Sequence, residues 1–149
     1  MQTILYQDYS NYHIVFIDDA STDQTFNKTK EFLIEEGFDQ SRIDYIRNEK
    51  KMYATYNLQN SAHHYCKSGE IFLIADGDDE LVTTKAFKLV SSFYQRSEGY
   101  WVVYTQYFSS KYTYGLSNQV TQTYYDSPRK PQYILGAMRT FLVDLYRKI

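Results

Sequence analysis

Residues 71–80 read Ile71-Phe72-Leu73-Ile74-Ala75-Asp76-Gly77-Asp78-Asp79-Glu80, in which an apolar run leads directly into four acids around one glycine. A short, unbroken apolar run predicts a strand that is buried on both faces. Ligands of open α/β sheets bind beyond the carboxyl ends of strands, so these acids stand where a ligand site is expected. Crowded carboxylates repel one another, and a divalent cation such as Mg²⁺ or Mn²⁺ removes that penalty. The same acids also suit a plain turn that starts the next helix, so these residues alone leave both interpretations open.

A second apolar run, over residues 13–17, ends in the same way, with Asp18 and Asp19. Patterns elsewhere predict helices over 24–36, 54–67, 85–96 and 134–149, weaker strands over 42–46 and 100–108, and a long loop over 109–132. Strands and helices that alternate in this order favour a mostly parallel sheet with helices on both faces. With no internal repeat, residues 1–149 are predicted to form a single domain.

Composition excludes several classes of protein. The chain has 149 residues, of which 43% are hydrophobic and 23% charged, and this balance is ordinary for a soluble globular domain. A net charge of -2 gives no sign of a nucleic-acid surface. No apolar run approaches the ~20 residues of a membrane span, and no secretory signal opens the chain. The single Cys66 excludes an internal disulfide and fits a reducing compartment, which predicts a cytoplasmic location.

Several segments together resemble family 2 glycosyltransferases. Residues 14–23 read IVFIDDASTD and closely resemble the family's "I-V-D-D-x-S-x-D" segment, and residues 7–12 resemble its "Q-x-Y-x-N-x" lead-in. Residues 47–57 look like its "N-x-x-x-G-x-x-x-A-x-N" region, without the expected glycine. Asp76-Gly77-Asp78 stands where the D-x-D motif would stand, and residues 138–141 are similar to an Arg-Thr-Phe helix of some members.

The resemblance implies a GT-A fold, which is an α/β, Rossmann-like three-layer sandwich with a mostly parallel central sheet. It implies an enzyme that moves a sugar from a nucleotide-diphosphate sugar, most simply a UDP-sugar, to a hydroxyl of a glycan or another acceptor. Such an enzyme is expected to need Mg²⁺ or Mn²⁺ and to invert the anomeric carbon. The residues that match the family's nucleotide contacts are Asp18, Asp19, Arg47, Asn48 and Asp76, with Asp19 favoured at the base. The residues that match its metal site are Asp78 foremost, with Asp76 and Asp79.

Two family features have no counterpart in this sequence. The family's first strand is not found, and no acidic motif after Glu80 matches its catalytic base, which leaves Asp126 in the long loop as a candidate. We therefore expect a partial domain, truncated at both ends, from a longer gene product or a degenerate relative. The alternative to an active enzyme is a non-catalytic relative that binds nucleotide sugar, or nothing, and serves as an interaction module. Arg139 is placed on the last helix, where it faces a phosphate, the acceptor or solvent.

Other ligand-binding classes fit less well. A calcium loop that starts at Asp76 would need Gly at position 81 and Glu at position 87, where Leu and Phe stand. A phosphatase-like aspartate nucleophile lacks its usual threonine two residues after the second aspartate. A dinucleotide site lacks its glycine-rich turn.

Overall fold

The structure, a computed structural model, describes residues 1–96, 99, 101–105 and 138–148. Its helices are α1 Gln2–Leu5, α2 Thr25–Glu35, α3 Tyr53–His64, α4 Ala86–Tyr94 and α5 Val143–Tyr146. Its strands are β1 Ile14–Asp18, β2 Ile43–Arg47, β3 Ile71–Ile74, β4 Val102–Tyr104 and β5 Arg139–Leu142. The loop predicted over 109–132, with its candidate base Asp126, lies outside the described residues, as do residues 106–108 of the predicted fourth strand.

The strands pair in two groups. β1 and β2 are parallel, with Ile14 opposite Ile43 and Asp18 opposite Arg47. β5 lies between β3 and β4 and is antiparallel to both. The domain therefore contains both helices and strands, as predicted for an α/β fold, but the mostly parallel sheet is not confirmed. In the part of the chain that the structure describes, parallel pairing is confined to β1 and β2.

The helix predicted over 134–149 is wrong for most of its described part. Residues 139–142 form strand β5, and the helix is confined to α5. Phe141 lies opposite Phe72 on β3 and Val102 on β4, and the fully buried Thr140 donates its hydroxyl to the Val103 carbonyl at 2.7 Å. Threonine and phenylalanine favour pleated sheet, and pairing on both sides satisfies the backbone of this segment.

Strand β3 is covered on both faces, as its apolar run predicts. Phe72 and Ile74 pack against Val143 of α5 on one face. On the other face, the half-buried Ile71 and Leu73 pack against the buried cluster around α4. This burial fixes the strand, so the acids that follow it emerge at a defined edge of the structure.

The connector before β1 is fastened to α4 by the side chain of Gln7, which is only 9% exposed. Its Nε2 donates to the carbonyls of Thr3 at 3.0 Å and Thr83 at 2.8 Å. Its Oε1 accepts from the Phe87 amide at 3.1 Å. The first glutamine of the "Q-x-Y-x-N-x" lead-in therefore has a structural role, because it joins segments that are 80 residues apart in the chain.

Replacing Gln7 by alanine is expected to lower the free energy of unfolding by about 2–3 kcal/mol, because three hydrogen bonds to partly or fully buried backbone groups are lost. Urea denaturation followed by circular dichroism measures the change. Gln7→Glu is the control, since it keeps the acceptor and removes the donor, and it should also destabilise the protein. A Gln7→Ala protein as stable as the wild type would contradict this role.

Candidate functional site

Asp18 closes strand β1, and only 3% of its surface is exposed. Its strand partner is Arg47, whose Nε lies 3.5 Å from Asp18 Oδ2. This distance gives an ion pair without a hydrogen bond, and among the described residues no donor bonds to this oxygen. A buried carboxylate oxygen without a donor is costly, so the charge of Arg47 is its main compensation. The pair fixes a guanidinium at the carboxyl end of the strand.

Asp19 follows directly and holds the start of helix α3. Its Oδ1 accepts hydrogen bonds from the Met52 amide and from Asn48 Nδ2, both at 2.8 Å, and its Oδ2 accepts from the Tyr53 amide at 2.9 Å. The Met52 bond first, and the Asn48 bond next, hold the pKa of Asp19 well below its ordinary value. Two of these hydrogen bonds fall on Oδ1 and one on Oδ2, so Oδ2 is the less used of the two oxygens.

Asn48 connects this carboxylate to the body of α3. Its Nδ2 donates to Asp19 Oδ1 and to Asn57 Oδ1, each at 2.8 Å, and its amide donates to the Asp18 carbonyl at 2.9 Å. The structure therefore brings together four of the five residues predicted to contact a nucleotide, which are Asp18, Asp19, Arg47 and Asn48. Asn57, which is 9% exposed, joins them. The sequence pointed to Asn57 because it is the last residue of the segment 47–57, which resembles the family's "N-x-x-x-G-x-x-x-A-x-N" region.

Backbone strain also concentrates around Asp19. Ala20, the next residue, has a φ of 61°, and Tyr53, whose amide bonds to Asp19, has a φ of 65°. They are the non-glycine residues with positive φ in the described ranges. The left-handed region costs a residue with a Cβ roughly 1–2 kcal/mol, and such strain clusters at functional sites. Tyr53 lies in the segment where the resembling motif expects a glycine, and it takes the conformation that glycine adopts easily.

Replacing Ala20 by glycine is expected to raise the free energy of unfolding by about 1 kcal/mol, because it removes the Cβ penalty at positive φ. Thermal and urea unfolding measure the change. Ala54→Gly, an exposed alanine in α3, is the matched control and should lower stability, since glycine is a poor helix former. Equal effects of the two substitutions would argue against strain at position 20.

The acids after β3 form a tight turn in which the Asp79 amide donates to the Asp76 carbonyl at 3.1 Å. Partial loss of hydration, followed by the charges of Asp76 and Asp78, raises the pKa of Asp79 above its ordinary value, although its side chain is largely exposed. Arg139, at the start of β5, opposes this shift, and its Nη2 donates to Asp76 Oδ2 at 3.2 Å. Arg139 is thus a strand residue that contacts the D-x-D segment, which its predicted place on a helix did not suggest.

The fit of these acids to a divalent cation rests on their chemistry. Carboxylate oxygens are the donors that Mg²⁺ and Mn²⁺ prefer, and Asp76, Asp78 and Asp79 are exposed. Within the described ranges, no three acidic, histidine or cysteine side chains converge on a common point. Mg²⁺ is commonly held by one or two carboxylates together with substrate phosphates, so Asp76 and Asp78 suit such a site.

The contacts of the two acidic groups differ. Asp18 and Asp19 are tied to β2 and α3, whereas Asp76 is tied to β5. Their convergence on one nucleotide stays a prediction. Asp144 lies at the start of α5, where its Oδ2 accepts from Ser68 Oγ and the Gly69 amide, both at 3.0 Å.

An α/β domain with carboxylates at the ends of two buried strands is the class of fold that binds nucleotides at a sheet edge. The family model described as glycosyl transferase family 2 matches residues 1–146 of the chain, and the chain belongs to that family. Membership implies the GT-A type of α/β fold. Neither the curated proteins nor the solved structures gave a match. Of the helices that the structure describes, none has the length and apolar composition to cross a membrane.

Proposed function

We propose that this chain, as a single GT-A domain over 1–149, binds a UDP-sugar and transfers the sugar to an acceptor hydroxyl, such as that of a glycan, with inversion. The proposal rests on one observation above the others. Asp19, Asn48 and the ion pair of Asp18 with Arg47 meet at the carboxyl end of β1. The single free cysteine supports the cytoplasm as the location.

The nucleoside is assigned to this first group. Asp19 is ionised at neutral pH, and its Oδ2 accepts the imino N–H of uracil at the position that Tyr53 leaves open. Asn48 keeps the carboxylate oriented through its bonds to Asp19 and Asn57. Because the Asp18 side chain is buried, we assign it an indirect role, which is to hold the Arg47 guanidinium toward the nucleotide.

The diphosphate is assigned to a divalent cation held by the acids after β3. Asp78, with Asp76, would hold the divalent cation, and Asp79 supports the turn or assists. When bound, the cation neutralises the charge that develops on the leaving diphosphate and acts as a Lewis acid. Asp76 also contacts the ribose side in this arrangement. The acids would hold the cation at the strand edge, because β3 is fixed by packing on both faces.

An inverting transfer also needs a carboxylate that takes the proton of the acceptor hydroxyl. The acceptor hydroxyl oxygen then forms the new bond to the anomeric carbon as the bond to the diphosphate breaks. Asp126 remains the sequence-based candidate for this base. Membership of the family favours the enzyme over a non-catalytic relative that serves as an interaction module.

Isothermal titration with UDP in Mn²⁺ and in EDTA tests the nucleotide site. We expect saturable binding that needs the metal, and an absence of UDP binding in both conditions would overturn the proposal. A coupled assay that detects released UDP from a panel of UDP-sugars then separates an enzyme from a binder. Release by the wild type and its loss in Asp78→Ala support catalysis, whereas tight UDP binding without release supports the non-catalytic alternative.

A further inference from the structure

Arg139 stands in direct reach of the acids that follow β3. It lies opposite Ile74, the last residue of β3, and Asp76 comes two residues later. The antiparallel pairing of β5 with β3 therefore brings the guanidinium beside the first acid of the D-x-D segment, where Nη2 and Asp76 Oδ2 are 3.2 Å apart. Asp76 is more than half exposed and Arg139 about one-third exposed, so the contact lies at the surface of the site.

The guanidinium is only partly used by the protein that the structure describes. It has five N–H donors, and its hydrogen bond there goes to Asp76. Its Nε is buried without a partner among the described residues. A surface pair of this kind is weak, so exchanging Asp76 for another anion costs little. A planar fork of donors is also the side-chain geometry that suits phosphate oxygens.

Charge determines when that exchange occurs. Without ligand, Arg139 neutralises one of the clustered carboxylates. A divalent cation bound to Asp76 would neutralise that carboxylate in place of Arg139, and it would put a second positive charge beside the guanidinium. A diphosphate then offers the anionic oxygens that Arg139 lacks. Arg139 therefore opposes binding of the cation alone and favours binding of the cation together with the diphosphate.

We propose that Arg139 is a positioning residue for the leaving diphosphate, held by Asp76 in the free protein and transferred to phosphate oxygens when the donor binds. This inference rests on the proposed function. It adds a cationic side chain from the last strand to the acids of β3, and it predicts effects of opposite sign for two ligands. A residue that only supports the fold would shift both affinities in the same direction.

The test measures Mn²⁺ alone, and UDP in saturating Mn²⁺, by calorimetry on the full chain. In Arg139→Gln we expect Mn²⁺ to bind about 3- to 10-fold tighter, because a competing surface cation is removed. We expect UDP with Mn²⁺ to bind about 10- to 100-fold weaker, because charge-assisted hydrogen bonds are lost. Arg96→Gln removes a guanidinium that stands over the Phe93 ring, and as the control it should change neither affinity beyond about 2-fold.

The inference is overturned if Arg139→Gln does not raise the affinity for Mn²⁺ or does not lower the affinity for UDP. If the wild type still binds UDP in that case, the proposed function stands. Wild-type protein that binds no UDP overturns both. If Arg139→Gln fails to fold by circular dichroism, Arg139→Lys decides. It keeps the charge and loses the fork, so Mn²⁺ affinity should stay within about 2-fold and UDP affinity should fall at least about 3-fold. An unchanged UDP affinity in Arg139→Lys then overturns the inference.

Discussion

Replacing Asp78 by asparagine is expected to weaken UDP binding in Mn²⁺ by at least about 100-fold, which exceeds the usual loss for a residue outside the metal's own ligand shell. Asparagine keeps the shape of the side chain but removes its negative charge and replaces one carboxylate oxygen by an NH₂ group, which cannot bind a cation. The side chain of Asp78 is exposed and makes no hydrogen bond or ion pair with the described residues, so the fold should be unchanged. Calorimetry gives the affinity, and thermal unfolding checks the fold.

Glu80→Gln is the matched control for Asp78→Asn, because it removes the same charge from an exposed side chain two residues away. Its UDP affinity in Mn²⁺ should stay within about 3-fold of the wild type, as expected for a surface charge. In EDTA, Asp78→Asn and the wild type should be indistinguishable. An unchanged affinity of Asp78→Asn in Mn²⁺ refutes the assignment of Asp78, and equal losses in both variants would reduce its role to general electrostatics.

Replacing Asp19 by asparagine is expected to lower both the melting temperature and the affinity for UDP, the latter about 10- to 100-fold. Asparagine retains only one acceptor oxygen, and its NH₂ group takes the place of the other. That NH₂ group then faces either the Tyr53 amide, at the position of Oδ2, or the Met52 and Asn48 donors, at the position of Oδ1. It also removes a negative charge from the N-terminus of α3. One substitution should thus disturb the helix start and the nucleoside site together.

The pH dependence of Asp19 has a defined sign. Its pKa is lowered from the ordinary value of 3.8 in the folded protein, so the ionised form stabilises the fold above that pH. The contribution is lost as the pH falls below 3.8 toward the folded-state pKa. The stability difference between wild type and Asp19→Asn should therefore be constant from about pH 7 to 5 and shrink below about pH 4.

Thermal unfolding of both proteins between pH 3 and 7 measures this difference. Asp8→Asn is the control, because Asp8 is an exposed acid 3.8 Å from Lys88 and remote from the start of α3. Its substitution should change the melting temperature little at any pH. A difference for Asp19→Asn that persists unchanged at pH 3 would show that the charge of Asp19 does not stabilise the helix start.

Several local features were predictable because the residues that cause them are neighbours in the chain. Gly37 takes a φ of 69° just after α2, as expected for the residue beyond a helix end. The apolar run of β3 is covered on both faces. Asp18 and Asp19 lie beside Arg47 and Asn48 because each pair stands at the end of one of two neighbouring parallel strands, and both pairs belong to segments that resemble the family's motifs.

Features that depend on distant partners were not predictable in the same way. Residues 139–142 carry a pattern that suits either a helix or a strand, and pairing with β3 and β4 decides for the strand. That pairing also places Arg139 beside Asp76, 63 residues earlier in the chain. No local sequence pattern predicts the contact between Arg139 and Asp76, because the two residues come together only when β5 pairs with β3.

Family membership, the alternation of helices and strands and the acids at two strand ends can all be read from the sequence. Those properties reside in side-chain periodicity and in short motifs, which act over a few residues. Three contacts depend on the packing of remote segments: Asp19 holds the start of α3, Asp18 is buried against Arg47, and Arg139 pairs with Asp76. The physical reason is that hydrogen bonds and ion pairs depend on distances of a few ångströms, which the packing of remote segments sets.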